Sequence, residues 1–141
     1  MEAGEKTLRV VPFVNMTMQP RLSDEVTQQL RKQIQRDATF RLSSRDDADI
    51  VLSGELVDYR RFEMSFAPND VLTVRDFRVI LTAQVTARDR TSGKVLLEKK
   101  VSGNTLVRVG SDMTSAERQA LPILAADLAR NVISLLADGE W

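Results

Sequence analysis

"FRVILTAQVTARDRTSGKVLLEKKV", residues 77–101, decides how the rest of the chain is read. Phe77, Val79, Leu81, Ala83, Val85 and Ala87 alternate with Arg78, Thr82, Gln84, Thr86 and Arg88, and Ile80 is the one apolar residue on the polar side. A period of two with one apolar and one polar face marks a strand that buries one side and wets the other. Ser92-Gly93 then supplies a hairpin turn, and "VLLEKKVSGNTLVRV" (95–109) is the return strand. A hairpin this long needs an apolar layer against its dry face.

Two helical stretches can provide that layer. Ser23 reads as an N-cap, with Asp24 and Glu25 in a first turn where the macrodipole favours carboxylates. Leu22, Val26, Leu30 and Ile34 form a stripe at steps of four, opposite Gln28, Arg31, Lys32 and Gln35, so a helix is expected over 23–37. Thr114 followed by Glu117 carries a capping-box signature. Leu121, Leu124, Leu128, Val132 and Leu135 give a second stripe, predicting a helix over about 115–136, and Ala125 and Ala129 allow a close approach to a sheet. Pro122 falls inside this pattern, either in the first turn or at a kink.

The remaining segments extend the sheet. In "LRVVPFVNMT" (8–17), Pro12 has no N–H to give to a ladder, so this strand lies at an edge or bends there. Pro12 is expected to end the hydrogen-bonded part, and Asn15 with Thr17 to begin the crossover into the helix. "TFRLSS" (39–44) reads as a short extended segment and "RDDAD" (45–49) as a charged turn. The aspartates of that turn lack calcium-loop spacing and its glycine, so they read as solvated carboxylates capping local backbone. "ADIVLSGELVDYRRFEMSF" (48–66) is a long strand in which Gly54 marks a bulge or a close approach, and "APND" (67–70) turns into the next strand. The order β-α-β-β-β-β-α describes an α+β sandwich with both helices on one face of the sheet, in one domain spanning 1–141.

Composition narrows the chemistry. The chain has 141 residues, 20 Lys plus Arg against 20 Asp plus Glu, and no His or Cys. A balanced charge argues against a nucleic-acid binder. Without His and Cys there is no thiol nucleophile, no Ser-His-Asp relay and no ordinary zinc site. The six glycines never cluster into a phosphate loop. No enzyme activity, metal or cofactor is expected, and the chain reads as a binding protein.

The candidate binding residues are cations. Arg60, Arg61, Arg75 and Arg78 flank "APND", and Arg88 and Arg90 flank the next turn. They either pair with Asp58, Glu63 and Asp76 across strands or grip anionic groups, such as lipid phosphates, through guanidinium forks. Met64, Phe66, Val71 and Leu72 would suit an amphiphilic ligand or a protein partner, or form a simple hairpin-tip cluster.

"LRVVPFVNMTMQPRLSDEVTQQLRKQI" resembles the opening of the lipopolysaccharide-assembly lipoprotein LptE family: a strand, then "PF-N-T", then a helix. "ADIVLSGELVDYR" is similar to that family's "AD-x-x-L-x-G" strand, the hairpin quoted above to its central hairpin, and the last helix ends, as there, close to a tryptophan. The resemblance covers about residues 7 to 141. It implies two helices packed on one face of a mostly antiparallel, mixed four-stranded sheet. It also implies a non-enzymatic, lipid-anchored protein at the periplasmic face of the outer membrane, a plug of the LptD β-barrel that helps deliver lipopolysaccharide. The family's anchor is an N-terminal lipidated cysteine. None occurs here, so a signal peptide and that cysteine are taken to have been trimmed. Family members that bind ligand use basic residues near the hairpin loop and before the last helix. Arg108 matches the second position and is the first candidate, with Arg60, Arg61, Arg75 and Arg78 behind it, while the loop "FAPND" itself has no basic residue. The "PF-N" phrase is shared with the curli-secretion lipoprotein and with activators of penicillin-binding proteins, the alternative reading: binding modules of other envelope machines.

Overall fold

The structure, a computed structural model, describes residues 6–37, 39–65, 75–109 and 112–139. In chain order the elements are β1 (Lys6–Val10), β2 (Val14–Asn15), α1 (Leu22–Asp37), β3 (Phe40–Leu42), β4 (Ile50–Ser65), β5 (Arg75–Asp89), β6 (Val95–Val109) and α2 (Met113–Asp138). The sheet runs β3-β1-β4-β5-β6, with β2 also beside β4. The long strands β4, β5 and β6 are antiparallel, whereas β1 runs parallel to β3 and β4. The sheet is therefore mixed, as expected, but has six strands and not four. The short segment read at 39–44 is β3 (Phe40–Leu42), and the strand that the sequence reading lacks is the two-residue β2, too short for alternation to register.

Pro12 interrupts pairing without ending it, which corrects the expectation. Val11 still donates to the Leu52 carbonyl at 2.9 Å, and after the proline the chain rejoins β4, with Val14 opposite Glu55. The crossover begins only then. Asn15 organises it as expected: its Oδ1 accepts from the Thr17 amide at 3.0 Å, and its Nδ2 donates to the Gln19 carbonyl at 2.7 Å.

The alternation of β5 translates directly into burial. Val79, Leu81, Ala83, Val85 and Ala87 are buried in one core with Leu22, Val26, Leu30 and Ile34 of α1 and Leu121, Leu124, Leu128 and Val132 of α2, α2 lying against β5 and β6 and α1 against α2. Fully burying a leucine or isoleucine contributes about 1.5–3 kcal/mol, so these stripes are what fixes both helices to one face. At Gly103 of β6 there is no room for a side chain: a β-carbon there would sit 2.4 Å from the Leu128 amide nitrogen. The outer edge of β6 is covered by the same helix, since Asp127 Oδ2 accepts from the Asn104 amide at 2.8 Å and Asn131 Nδ2 donates to the Ser102 carbonyl at 2.7 Å. Side chains from α2 thus satisfy an edge that would otherwise recruit other strands.

Both helix starts differ from the expected caps. Ser23 lies inside α1, and its hydroxyl donates to the Phe13 carbonyl, pinning the helix to the segment after Pro12. Helix α2 begins two residues earlier than the capping box at Thr114 places it. Asp112 is its N-cap, accepting from the Thr114 amide at 3.0 Å and the Ser115 amide at 3.4 Å. Pro122 lies inside α2, well past the first turn. In the charged turn, Asp49 reaches beyond its neighbourhood and accepts from the Thr7 amide at 2.9 Å, while Asp46 pairs with Arg9 at 3.0 Å.

Candidate ligand-binding surface

Four of the five candidate cations, Arg60, Arg61, Arg78 and Arg108, divide between the two faces of the sheet. A bulge at Val57, between the pairs Leu56–Ala83 and Asp58–Thr82, shifts the alternation of β4 by one residue. Beyond it Tyr59 and Arg61 lie on the helix side, and Asp58, Arg60 and Phe62 on the open side.

On the open side, register builds a defined pattern. Phe62 pairs with Arg78, and Arg78 with Leu106, giving one row across three strands. The next row holds Arg60, Ile80 and Asn104, and on the other side Asp76 pairs with Arg108. Arg108, Arg78 and Arg60 therefore descend diagonally, one strand and one row per step, at about 8 Å spacing from ordinary sheet dimensions. Apolar side chains fill the places between them: Phe62 is 43% exposed and Leu106 47% exposed. This is a cationic stripe set in an apolar ground, on the face that neither helix covers.

The partners of these cations are weak competitors for a ligand. Arg60 Nε meets Asp58 at 2.7 Å along its own strand, and Arg108 Nε meets Asp76 at 3.3 Å across strands. Arg78 donates to the amide oxygen of Asn104. Exposed ion pairs of this kind contribute about 0–1 kcal/mol, and an anion with several oxygens can replace them.

Arg61 belongs to another neighbourhood. It lies 3.6 Å from Glu117, whose other oxygen accepts from the Tyr59 hydroxyl at 2.6 Å. Burial first, and then this bond to a carboxylate, push the Tyr59 hydroxyl well above its ordinary pKa. Glu117, the expected capping-box residue, instead ties α2 to β4. Arg61 and Tyr59 also line a cavity of about 520 Å³ with Met16 and Met18. The side chains of Arg75 and Met64, together with Phe66, the "APND" turn, Val71 and Leu72, lie outside the described residues. Arg88 and Arg90 sit at the opposite end of β5, where Arg90 Nε donates to the Ala48 carbonyl at 3.1 Å.

Phe62, Ile80 and Leu106 are the members that reading along the strands leaves unassigned. Their signal is parity: each is an apolar residue standing on the polar side of its alternation, and the parity of β4 is hidden by the bulge.

Comparison with known proteins bears on the whole arrangement. No curated protein matches the chain. Among solved structures it is similar to the hypothetical protein CT253 from Chlamydia trachomatis, at 9% identity and a TM-score of 0.66, covering 96% of each chain. It is also similar to a minor lipoprotein from Acinetobacter baumannii, at 14% identity and a TM-score of 0.60, covering 94% of this chain and 92% of that one. A putative lipoprotein from Caulobacter crescentus follows at 12% identity and a TM-score of 0.56, covering 89% and 88%. At these identities the likeness establishes the fold alone. The sequence goes further: the model of the lipopolysaccharide-assembly family LptE matches residues 5–136, a span that takes in every strand and nearly all of both helices. With its helices, mixed sheet and opening "PF-N-T" phrase accounted for together, the chain belongs to the LptE lipopolysaccharide-assembly family.

Proposed function

We propose that this lipopolysaccharide-assembly lipoprotein works without catalysis, as the partner and plug of an LptD-type outer-membrane β-barrel at the periplasmic face. There it contacts lipopolysaccharide through the open face of β4, β5 and β6. The observation that carries the ligand reading is the diagonal of Arg108, Arg78 and Arg60 with Phe62 and Leu106 exposed between them. An amphiphile with anionic groups beside acyl chains offers both halves of what this surface accepts. Each phosphate gripped by a partly desolvated guanidinium would contribute on the order of 1.5–3 kcal/mol. A sheet face uncovered by helices is also a surface that can lie against the inside of a barrel.

The test is a pull-down with lipopolysaccharide comparing wild type with Arg108→Glu at matched thermal stability, alongside co-purification with the barrel. Weakened lipopolysaccharide capture by the variant supports the reading. Equal capture removes Arg108 from the site. No capture by either protein favours a module of another envelope machine, akin to the curli-secretion lipoprotein or the activators of penicillin-binding proteins.

A further inference from the structure

A second cluster of cations sits well away from the open-face stripe. The edge strand β3 stops at Leu42, opposite Leu8 of its parallel neighbour β1, and β1 runs on two residues further to Val10. Where β3 stops short, a crevice opens beside the end of β1. Here it is a cavity of about 360 Å³ lined by Arg9, Arg31, Ser43 and Ser44, over apolar Pro12 and Leu42. Its size suits a small ligand, and a few convergent polar groups over an apolar floor are what such a site requires.

The two guanidiniums come from different elements, Arg9 from β1 and Arg31 from α1. Among the described residues Arg31 makes no ion pair. Its neighbours one turn away on α1 are Thr27, Gln28, Ile34 and Gln35, so the helix offers it no carboxylate. Arg9 meets Asp46 at 3.0 Å, but the Asp46 side chain is 96% exposed, and such a pair is easily exchanged. Ser43 Oγ accepts from the Arg45 amide at 3.2 Å and keeps its own proton to donate.

We propose that this cavity binds a phosphate monoester group. Two guanidinium forks and two hydroxyls supply more donors than the two oxygens of a carboxylate can accept. A phosphate monoester has three terminal oxygens and nearly two negative charges at neutral pH, and matches that donor set. Arg9 pairs in register with Val51, whereas Phe62 of the open-face row lies far along the same strand, so the two sites are roughly 35 Å apart at the rise of an extended strand. The site stands independently of the lipopolysaccharide reading.

The experiment is NMR of the whole chain, following arginine Nε–Hε and backbone amide signals during titration with inorganic phosphate. Saturable shifts are expected at Arg9, Arg31, Ser43 and Ser44, with affinity falling about tenfold in Arg31→Gln at an unchanged thermal midpoint. Arg118→Gln, on the exposed side of α2 and outside both surfaces, should leave this titration unaltered. A second arm measures co-sedimentation with phosphatidylcholine vesicles containing phosphatidic acid, whose headgroup is a phosphate monoester. Weaker sedimentation of Arg31→Gln assigns the site to a lipid headgroup. Unchanged sedimentation beside weakened phosphate binding assigns it to a soluble phosphorylated molecule. No saturable shift at the cavity, or equal phosphate affinity in Arg31→Gln, overturns the proposal.

Discussion

Gly103 and Leu128 touch backbone to backbone: a β-carbon on Gly103 would lie 2.4 Å from the Leu128 amide nitrogen and 2.7 Å from its α-carbon. Neither atom can swing aside, as the tip of a side chain could. Gly103→Ala must therefore lift α2 off β6, and a loss of about 3 kcal/mol or more is expected in urea unfolding. A loss under about 0.5 kcal/mol would mean that the helix sits further from the strand.

Leu128 itself is fully buried under that contact. Leu128→Ala removes packed methyl groups at a place where strand and helix cannot close the gap, and should cost about 2–5 kcal/mol by equilibrium denaturation.

The Tyr59–Glu117 bond at 2.6 Å makes a different prediction. Tyr59→Phe leaves Glu117 with Arg61 as its only side-chain partner among the described residues, and should destabilise by about 1 kcal/mol. Glu117→Gln keeps an acceptor for the tyrosine but gives up the pairing with Arg61, so its cost should be no greater. Hydrogen exchange over the first turns of α2 should rise in Tyr59→Phe and stay near wild type at the C-terminal turns.

Asp49 gives the fold a pH dependence. The Thr7 amide donating to it, the largest influence, holds its carboxyl below the usual aspartate range despite partial burial. A carboxylate with a lowered folded pKa stabilises the fold above the unfolded value near 4, and that contribution is lost as pH falls through the folded value. Asp49→Ala should accordingly be less stable than wild type at pH 7, by about 1–2 kcal/mol for two partly exposed hydrogen bonds. The gap should close in thermal melts as pH falls below the ordinary aspartate range and through the lowered folded value.

Long-period features were legible in the sequence, and local end effects were not. The β5 alternation and the two helical stripes predicted most of the buried residues, because burial is a sum over many positions, but Phe77 and Leu135 are only half-buried and Ile133 and Leu136 complete the core in place of Leu135. The caps failed because competing partners lie far away in sequence: Ser23 finds the Phe13 carbonyl, and Glu117 finds Tyr59. Asp112 then takes the N-cap role, since it reaches two amides of the first turn. The candidate cations were all visible as arginines, but their division between faces depends on the bulge at Val57, a single extra residue that alternation alone does not reveal. Arg9 and Arg31 escaped notice because only the folded chain brings β1 and α1 to one crevice.

The stripe of Arg60, Arg78 and Arg108 is tested most directly by lipopolysaccharide affinity, measured by titration calorimetry on three proteins. These are wild type, the variant carrying Arg60→Glu, Arg78→Glu and Arg108→Glu together, and a control with Arg118→Glu on the exposed side of α2. All three substitutions in the stripe fall on exposed or half-exposed positions of one face, so folding should survive and is checked by circular dichroism. The expected result is a loss of at least about a hundredfold in the triple variant, equivalent to roughly 2.8 kcal/mol, with the control within about twofold of wild type. Affinity in the triple variant equal to wild type, or a loss of the same size in the control, would contradict the assignment of the open face.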